Sequence, residues 1–210
     1  MSHKKKDAGD LELLGGRLCL DFVNTVDWRG RKRPQEFLNT YLDLITWSLH
    51  VGLITDREAQ LLKQKIDKNP SEAERILSRA IVLRETIYRL FSSIAEGLTA
   101  SKKDLTMFNK YLSNTMKQSR VVESEDGLTW DSEGNKDKLD WILNPIIRSA
   151  ADLLVSDDLK RVKRCADYAC GWLFFDNSRN RSRRWCDMKD CGNRAKASRF
   201  YKRKQLLKAG

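Results

Sequence analysis

The chain has 210 residues, of which 40% are hydrophobic and 33% are charged, and its formal net charge at pH 7 is +11. A chain of this length can bury one sizeable core and carry a small appended module. No run of the sequence approaches the roughly 18 apolar residues of a membrane-spanning helix, and no signal-like apolar segment follows the basic N-terminus. We therefore expect a cytoplasmic protein that does not bind membranes.

The N-terminal elements are predicted from turn residues and from the spacing of apolar residues. Residues 1–13 are predicted to form a disordered tail. A turn at Gly15 and Gly16 then precedes a short helix that ends near Thr25. From residue 35 to residue 50, apolar side chains recur at intervals of three and four residues, which predicts a helix.

Two capping boxes predict the next two helices. Thr55 with Glu58 forms the first box, and Ser71 with Glu74 forms the second. The second helix should be long, because apolar residues continue at helical spacing as far as Leu98. We expect it to be the spine of the N-terminal domain.

Further along the chain, the turn residues Asp126 and Gly127 separate two β-prone segments and predict a hairpin. At Asn144 and Pro145 an apolar helical pattern is interrupted, which indicates either a kink or the start of a new helix. We favour the new helix. These elements together predict a mainly α-helical domain with a small β-hairpin over residues 14–156.

Two polar residues near the start of this domain have two interpretations. Asp21 and Asn24 stand beside apolar neighbours and are candidates for lining a small-molecule pocket. They could equally cap a helix or make a buried hydrogen bond, and we favour this interpretation because two side chains do not define a site.

Four of the five cysteines form two pairs with four intervening residues each, Cys165 with Cys170 and Cys186 with Cys191. Each short loop can direct two thiolates at one ion, which favours a tetrahedral zinc site over two disulfides. Because sulfur fills all four positions, no site remains for a reactive water, and we predict one structural Zn²⁺. Cys19 is left over and is predicted to be a buried thiol.

The segment around these cysteines predicts a hairpin and a helix. The β-prone apolar run from Trp172 to Phe175 predicts one strand, and the chain can turn back into a second strand that reaches Trp185. A helix should begin at Asn193 and run to about Lys208. These features predict a zinc ribbon or treble-clef-like module.

The positive charge is concentrated in this module. From residue 160 onward there are sixteen Lys/Arg and four Asp, a net charge of +12, so the first 159 residues sum to −1. Although most charge runs are solvated faces, this segregation favours contact with nucleic acid. We place the module at residues 157–210 and expect residues 1–155 to fold without the metal.

Two groups of basic residues are predicted to make different contacts with nucleic acid. Arginines in the loop between the cysteine pairs should contact phosphates, whereas Arg194, Lys196 and Arg199 follow the last cysteine on a helix that zinc orients and are candidates for reading bases. The candidate nucleic-acid-binding residues are Arg179, Arg181, Arg183, Arg184, Arg194, Lys196, Arg199, Lys202 and Arg203.

The segment from Trp172 to Lys196, which contains Cys191-Gly192-Asn193-Arg194, resembles the bacterial CGNR zinc-finger family. The stretch from Gly16 to Thr25 resembles the start of the domain usually paired with that finger, a stress-induced transcription regulator domain called ABATE. The resemblance covers roughly residues 14–205. It implies a DNA-binding regulator with a mostly helical N-terminal domain.

We therefore expect a zinc-dependent transcriptional regulator that binds double-stranded DNA, with a helical domain that senses a small-molecule effector or forms a homodimer. The alternative is an RNA-binding or ribosome-associated zinc protein. The sequence contains two histidines and no phosphate-binding glycine loop or nucleophile elbow, so we expect no enzymatic activity.

Overall fold

The computed structural model describes residues 7–124, 127–132 and 138–209. The helices are α1 (Leu18–Val23), α2 (Tyr41–His50), α3 (Asp56–Lys68), α4 (Pro70–Ala95), α5 (Lys102–Met116), α6 (Asn144–Val155) and α7 (Asn193–Ala209). The strands form antiparallel pairs: β1 (Val26–Asp27) with β2 (Gln35–Glu36), β3 (Ser119–Ser124) with β4 (Gly127–Ser132), and β5 (Val162–Arg164) with β6 (Leu173–Phe175). The predicted fold class, mainly helical with small hairpins and a C-terminal four-cysteine module, is confirmed.

The helix predicted over residues 35–50 begins six residues later, at Tyr41. Thr40 and Asp43 form a capping box, which satisfies the first backbone N–H groups of α2 at this point. Residues 35–36 instead form β2, which pairs with β1. Periodicity could not exclude the extra turns, because a short strand carries too few residues to show its own period.

Side-chain caps also set the starts of α3 and α4. Thr55 and Glu58 form the predicted capping box at α3. The predicted box at Ser71 is wrong, because the Asn69 side chain caps α4 by accepting a hydrogen bond from the N–H of Glu72 at 3.2 Å. The Ser71 hydroxyl donates to the same Asn69 oxygen at 3.0 Å.

Helix α4 is the spine of the fold, as the sequence predicts. Its residues Ile76, Ala80, Leu83, Ile87 and Leu90 are completely buried. The helix packs against α1, α2, α3 and α5, so one apolar face supplies contacts to most of the domain. None of the helices in the described residues is both long enough and apolar enough to cross a membrane.

Two later predictions also agree with the structure. A new helix, α6, starts at Asn144 with Pro145 in its first turn, after a 3₁₀ segment over Leu139–Leu143. Strands β3 and β4 form the predicted hairpin. The turn residue Asp126 lies outside the described residues.

The predicted disordered tail differs from the structure over residues 7–13. Asp7 caps a helical turn over Ala8–Asp10, and Ala8 and Leu11 are buried against α2. The His50 ring also hydrogen-bonds to the carbonyl of Leu11 at 2.7 Å. No periodicity marks this segment in the sequence, because it packs through only two apolar side chains. Residues 1–6 lie outside the described residues.

The hairpin of the zinc module uses a different partner strand from the one predicted. β6 pairs with β5, which precedes the first cysteine pair, and residues 176–185 form a loop rather than a returning strand. The buried carboxylate of Asp176 holds this loop by accepting hydrogen bonds from the N–H groups of Ser178 and Arg183, both at 3.0 Å. These local bonds replace the strand pairing expected for residues near Trp185.

The β5–β6 hairpin is joined to the helical domain by hydrogen bonds of the kind that an additional strand would make. The Asn24 amide donates to the carbonyl of Leu173 at 2.8 Å, and its oxygen accepts from the N–H of Leu173 at 3.0 Å. The Trp172 indole donates to the carbonyl of Val26 at 2.9 Å. Asn24 and Val26 belong to the predicted helical domain and Trp172 and Leu173 belong to the predicted zinc module, yet all four residues are buried.

The zinc module and the helical domain therefore share one core. Leu173, Phe174 and Phe175 of β6 are buried in the same cluster as α1 and α4. Residues 1–155 therefore contribute only part of the core, and the expectation that they fold without the metal stays a prediction. The domain boundary predicted from the sequence marks a change in net charge, and the hydrophobic core extends across that boundary.

Replacing Asn24 with Ala should lower the free energy of unfolding by about 2–4 kcal/mol, because it leaves the buried N–H and carbonyl of Leu173 without partners. Denaturant unfolding followed by circular dichroism and by zinc release should show one coincident transition in the native protein. The control is Asn39→Ala, which removes an exposed hydrogen bond to Glu36. Zinc release at a clearly different denaturant concentration from helix loss would contradict the shared core.

Candidate metal centre and basic surface

The first cysteine pair lies in a tight knuckle between β5 and β6. Cys165 extends the ladder by donating its N–H to the carbonyl of Trp172 at 2.8 Å, and the N–H of Cys170 donates to the carbonyl of Asp167 at 3.0 Å. Gly171 follows with φ of +71°, a left-handed conformation that glycine adopts without strain. The turn therefore returns the chain so that both sulfurs face the same point.

The second pair lies at the entry to α7. Cys186 ends the loop that Asp176 organises, and Cys191 lies in a single π-helical turn over Met188–Gly192. The Asp187 carboxylate accepts from the N–H of Asp190 at 3.0 Å, which fixes this turn. Because α7 begins at the next residue, the metal ligands determine the direction of the helix.

The four sulfurs form a compact cluster. All lie within 4.8 Å of one another, and the sulfur of Cys186 is 3.6 Å from that of Cys170 and 3.5 Å from that of Cys191. A tetrahedral ion with Zn–S bonds of about 2.3 Å requires sulfurs about 3.8 Å apart. The buried, all-thiolate donor set fits one structural zinc ion, which would cross-link the knuckle to the start of α7.

Cys19 is separate from this centre. It is a free thiol, completely buried in the core, as predicted. Burial raises the pKa of the Cys19 thiol to about 12, so the thiol stays protonated and unreactive at neutral pH.

Arg194 is bound to the metal centre on several sides. Its Nε donates to the Asp167 carboxylate at 2.9 Å, another nitrogen donates to Asp190, and Nη2 lies 2.9 Å from the sulfur of Cys191. The guanidinium carbon also lies 4.5 Å from the ring centre of Trp28. Such a charge offsets the excess negative charge of four thiolates on one zinc ion. This geometry favours charge balance at the metal centre for Arg194, and the predicted base-reading role stays a prediction.

Arg183 also has a structural role. Its Nε donates to the carbonyl of Trp185 at 2.9 Å, and its Nη2 donates to the carbonyl of Cys186. The guanidinium carbon lies 4.6 Å from the ring centre of Phe174. Arg183 thus fixes the chain next to a ligand, and its predicted role in nucleic-acid contact is not supported.

The helical domain contacts the knuckle directly. The backbone N–H of Arg29 donates to the carbonyl of Cys170 at 3.1 Å, and that of Gly30 donates to the carbonyl of Ala169 at 3.2 Å. A Cβ on Gly30 would lie 1.8 Å from the carbonyl oxygen of Tyr168, so only glycine permits this approach. The Tyr88 hydroxyl donates to the carbonyl of Gly171 at 2.9 Å. The glycine itself is the one sign of these contacts in the sequence.

Asp21 and Asn24 both make hydrogen bonds within the fold. Asn24 makes the hydrogen bonds to Leu173 described above, and Asp21 accepts from the N–H of Gly15 at 2.8 Å. Burial raises the pKa of Asp21 to about 6, although the hydrogen bond from Gly15 and the nearby His50 act in the opposite direction. These hydrogen bonds agree with the structural interpretation that the sequence favoured for the pair.

The remaining candidate cations form an exposed basic surface on the zinc module. Asp176 positions the loop that carries Arg179 and Arg181 by accepting hydrogen bonds from its backbone and from Ser178. The side chain of Lys202 lies outside the described part of the chain. The exposed members are Arg179, Arg181, Arg184, Lys196, Arg199 and Arg203.

The structure adds a basic loop that the sequence analysis missed. Arg31, Lys32 and Arg33 are exposed, and Arg31 lies on the same groove as Arg184 and Arg199. The charge sum of −1 for the first 159 residues concealed this loop, because acidic residues elsewhere cancel it. A local charge count over residues 29–33 would have revealed it.

The geometry defines a helical protein with an integral four-cysteine zinc finger. Comparison with family models agrees: a model described as CGNR zinc finger matches residues 161–204, and the ABATE model, described as putative stress-induced transcription regulator, matches residues 16–157. The chain therefore belongs to the ABATE family and carries a CGNR zinc finger. No curated protein matches the chain. The predicted family resemblance and domain order are confirmed.

Cys186→Ser should reduce the zinc content well below one ion per chain, because a hydroxyl is a much weaker zinc ligand than a thiolate. Metal analysis of the purified protein measures this. The control is Cys19→Ala, which removes a buried thiol outside the centre and should leave the zinc content unchanged. An unchanged zinc content in the Cys186 variant would refute the ligand assignment.

Arg194→Ala should weaken zinc binding by about 10- to 100-fold, as expected for loss of a residue that hydrogen-bonds to a ligand. Competition with a chelator measures the affinity. The control Arg199→Ala removes an exposed cation on the same helix and should leave the zinc affinity unchanged. Equal zinc affinities for both variants would show that Arg194 is not needed to balance the thiolates.

Proposed function

We propose that this protein is a zinc-dependent transcriptional regulator that binds double-stranded DNA through the basic surface of its finger. The observation that carries the proposal is a set of exposed cations on the finger, which are Arg179, Arg181 and Arg184 in the loop before Cys186 and Lys196 and Arg199 on α7. Exposed cations without a broad apolar face are typical of polyanion contact.

The two parts of the basic surface suit different contacts. Arg179 and Arg181 project from the loop that Asp176 organises, where long side chains can reach phosphates. Lys196 and Arg199 lie in the first turns of α7 and are exposed. Because Arg194 is bound to the metal centre, Lys196 and Arg199 are the better candidates for contacts with bases in the major groove.

The helical domain is proposed to sense an effector or to form a homodimer. Support comes from the β3–β4 hairpin, where Val121, Leu128 and Trp130 are exposed apolar side chains, and such patches favour association. Because the knuckle is hydrogen-bonded to Arg29 and Tyr88, a change in the helical domain would move the finger. We propose that the protein acts in the cytoplasm by binding and that it has no catalytic activity.

Arg181→Ala should weaken binding to specific and scrambled DNA equally and reduce the slope of log affinity against log salt by about one unit, because one phosphate contact is lost.

Arg199→Ala should instead reduce the difference in binding free energy between the specific and the scrambled DNA, by about 1–3 kcal/mol if the contact is bidentate to guanine. Affinities at several salt concentrations, on a site selected from a random DNA pool, measure both effects.

Two outcomes decide the proposal. Equal losses on specific and scrambled DNA for Arg199→Ala would eliminate its base-reading role. Preferential binding to structured RNA over duplex DNA in a direct competition would replace the proposed function with an RNA-binding one.

A further inference from the structure

A groove of about 730 Å³ opens between three parts of the molecule that are distant in sequence. One wall is the loop at Trp28 and Arg31 of the helical domain, and another is the knuckle at Ala166–Ala169. The third is formed by Trp185 and the first turns of α7. The groove exists only because the helical domain and the finger share one core.

Aromatic rings and arginines alternate along this groove. Tyr168 is 79% exposed although it stands in the tight turn between two metal ligands. Trp185 is half-buried, and the guanidinium carbon of Arg184 lies 5.3 Å from its ring centre. Exposed aromatic side chains beside cations are the usual platform for an unstacked base.

The Trp28 corner of the groove is held in a strained conformation. Trp28 has φ of +55°, which is unfavourable for a bulky side chain. The guanidinium carbon of Arg31 lies 3.4 Å from the centre of the Trp28 ring. The N–H of Arg31 also donates to the carbonyl of Trp28 at 2.9 Å. Strained residues of this kind are concentrated at ligand-binding sites. The strain places the exposed Arg31 at the mouth of the groove.

The charge of the groove favours an anion. Arg31, Arg184 and Arg199 line it and are exposed, whereas Arg194 and Asp167 are paired with each other. Exposed cations beside Tyr168 match a ligand that combines a flat ring with a phosphate.

We propose that this groove binds one nucleotide, with its base against Tyr168 and Trp185 and its phosphate near Arg31 and Arg184. The nucleotide can come from an unpaired position in nucleic acid or from a free mononucleotide. The first source rests on the proposed function. It adds recognition of one unstacked base to the duplex contacts of α7 and the loop.

The test uses the zinc-loaded full chain and three probes: a fully paired DNA duplex, the same duplex with one unpaired nucleotide, and free AMP. Stacking of one base contributes about 1–3 kcal/mol, so the unpaired nucleotide should strengthen binding about tenfold. Tyr168→Ala should abolish that gain and leave binding to the paired duplex within about twofold. Tyr168→Phe should retain the gain, because the ring is preserved.

The matched control is Tyr201→Ala, which removes another exposed tyrosine on α7 outside the groove and should keep the gain. Zinc content checks that each variant keeps its finger. Binding of AMP alone that Tyr168→Ala abolishes would support a site for a free nucleotide, even if neither duplex binds and the proposed function fails.

Two results overturn the inference. Equal affinities for the paired and bulged duplexes, without AMP binding, would refute the nucleotide site and leave the proposed function intact. Failure of all three probes to bind would refute both.

Discussion

Four thiolates that share one divalent ion leave a local excess of negative charge, and the organisation of the finger follows from that constraint. Arg194 balances the charge with a nitrogen 2.9 Å from the sulfur of Cys191, and Asp167 and Asp190 orient its guanidinium. A residue that would otherwise be available for DNA is therefore part of the metal centre. The functional positive surface consists of the arginines and lysines that the centre does not need.

The same centre also depends on the helical domain. The knuckle receives hydrogen bonds from Arg29, Gly30 and Tyr88, and β6 is joined to α1 through Asn24. Metal binding and folding of the helical domain should consequently be coupled, because they stabilise the same core. This coupling provides a physical route by which an effector or a partner on the helical domain could alter the orientation of α7.

Several predictions based on local chemistry succeeded, although the box at Ser71 did not, and the strand pairing of the finger, which needs a distant partner, was wrong. The box at Thr55 and the new helix at Asn144 depend on side chains within a few residues, and both are found. The strand expected to reach Trp185 is absent among the described residues, because β6 pairs with β5 and Asp176 organises the intervening loop. Arg194 has the local partners Asp190 and Cys191, but its partner Asp167 is 27 residues away.

The sequence by itself determined the metal, the ligands and the family, because ligand spacing and residue type are local properties that survive in any arrangement of the chain. It also determined that the excess charge lies in the last 51 residues. Only the tertiary structure decided which cations are free, and only it brought Arg31 beside Tyr168 and Arg199. A shared core forms from apolar contacts between segments about 150 residues apart, and no local pattern encodes such a distance.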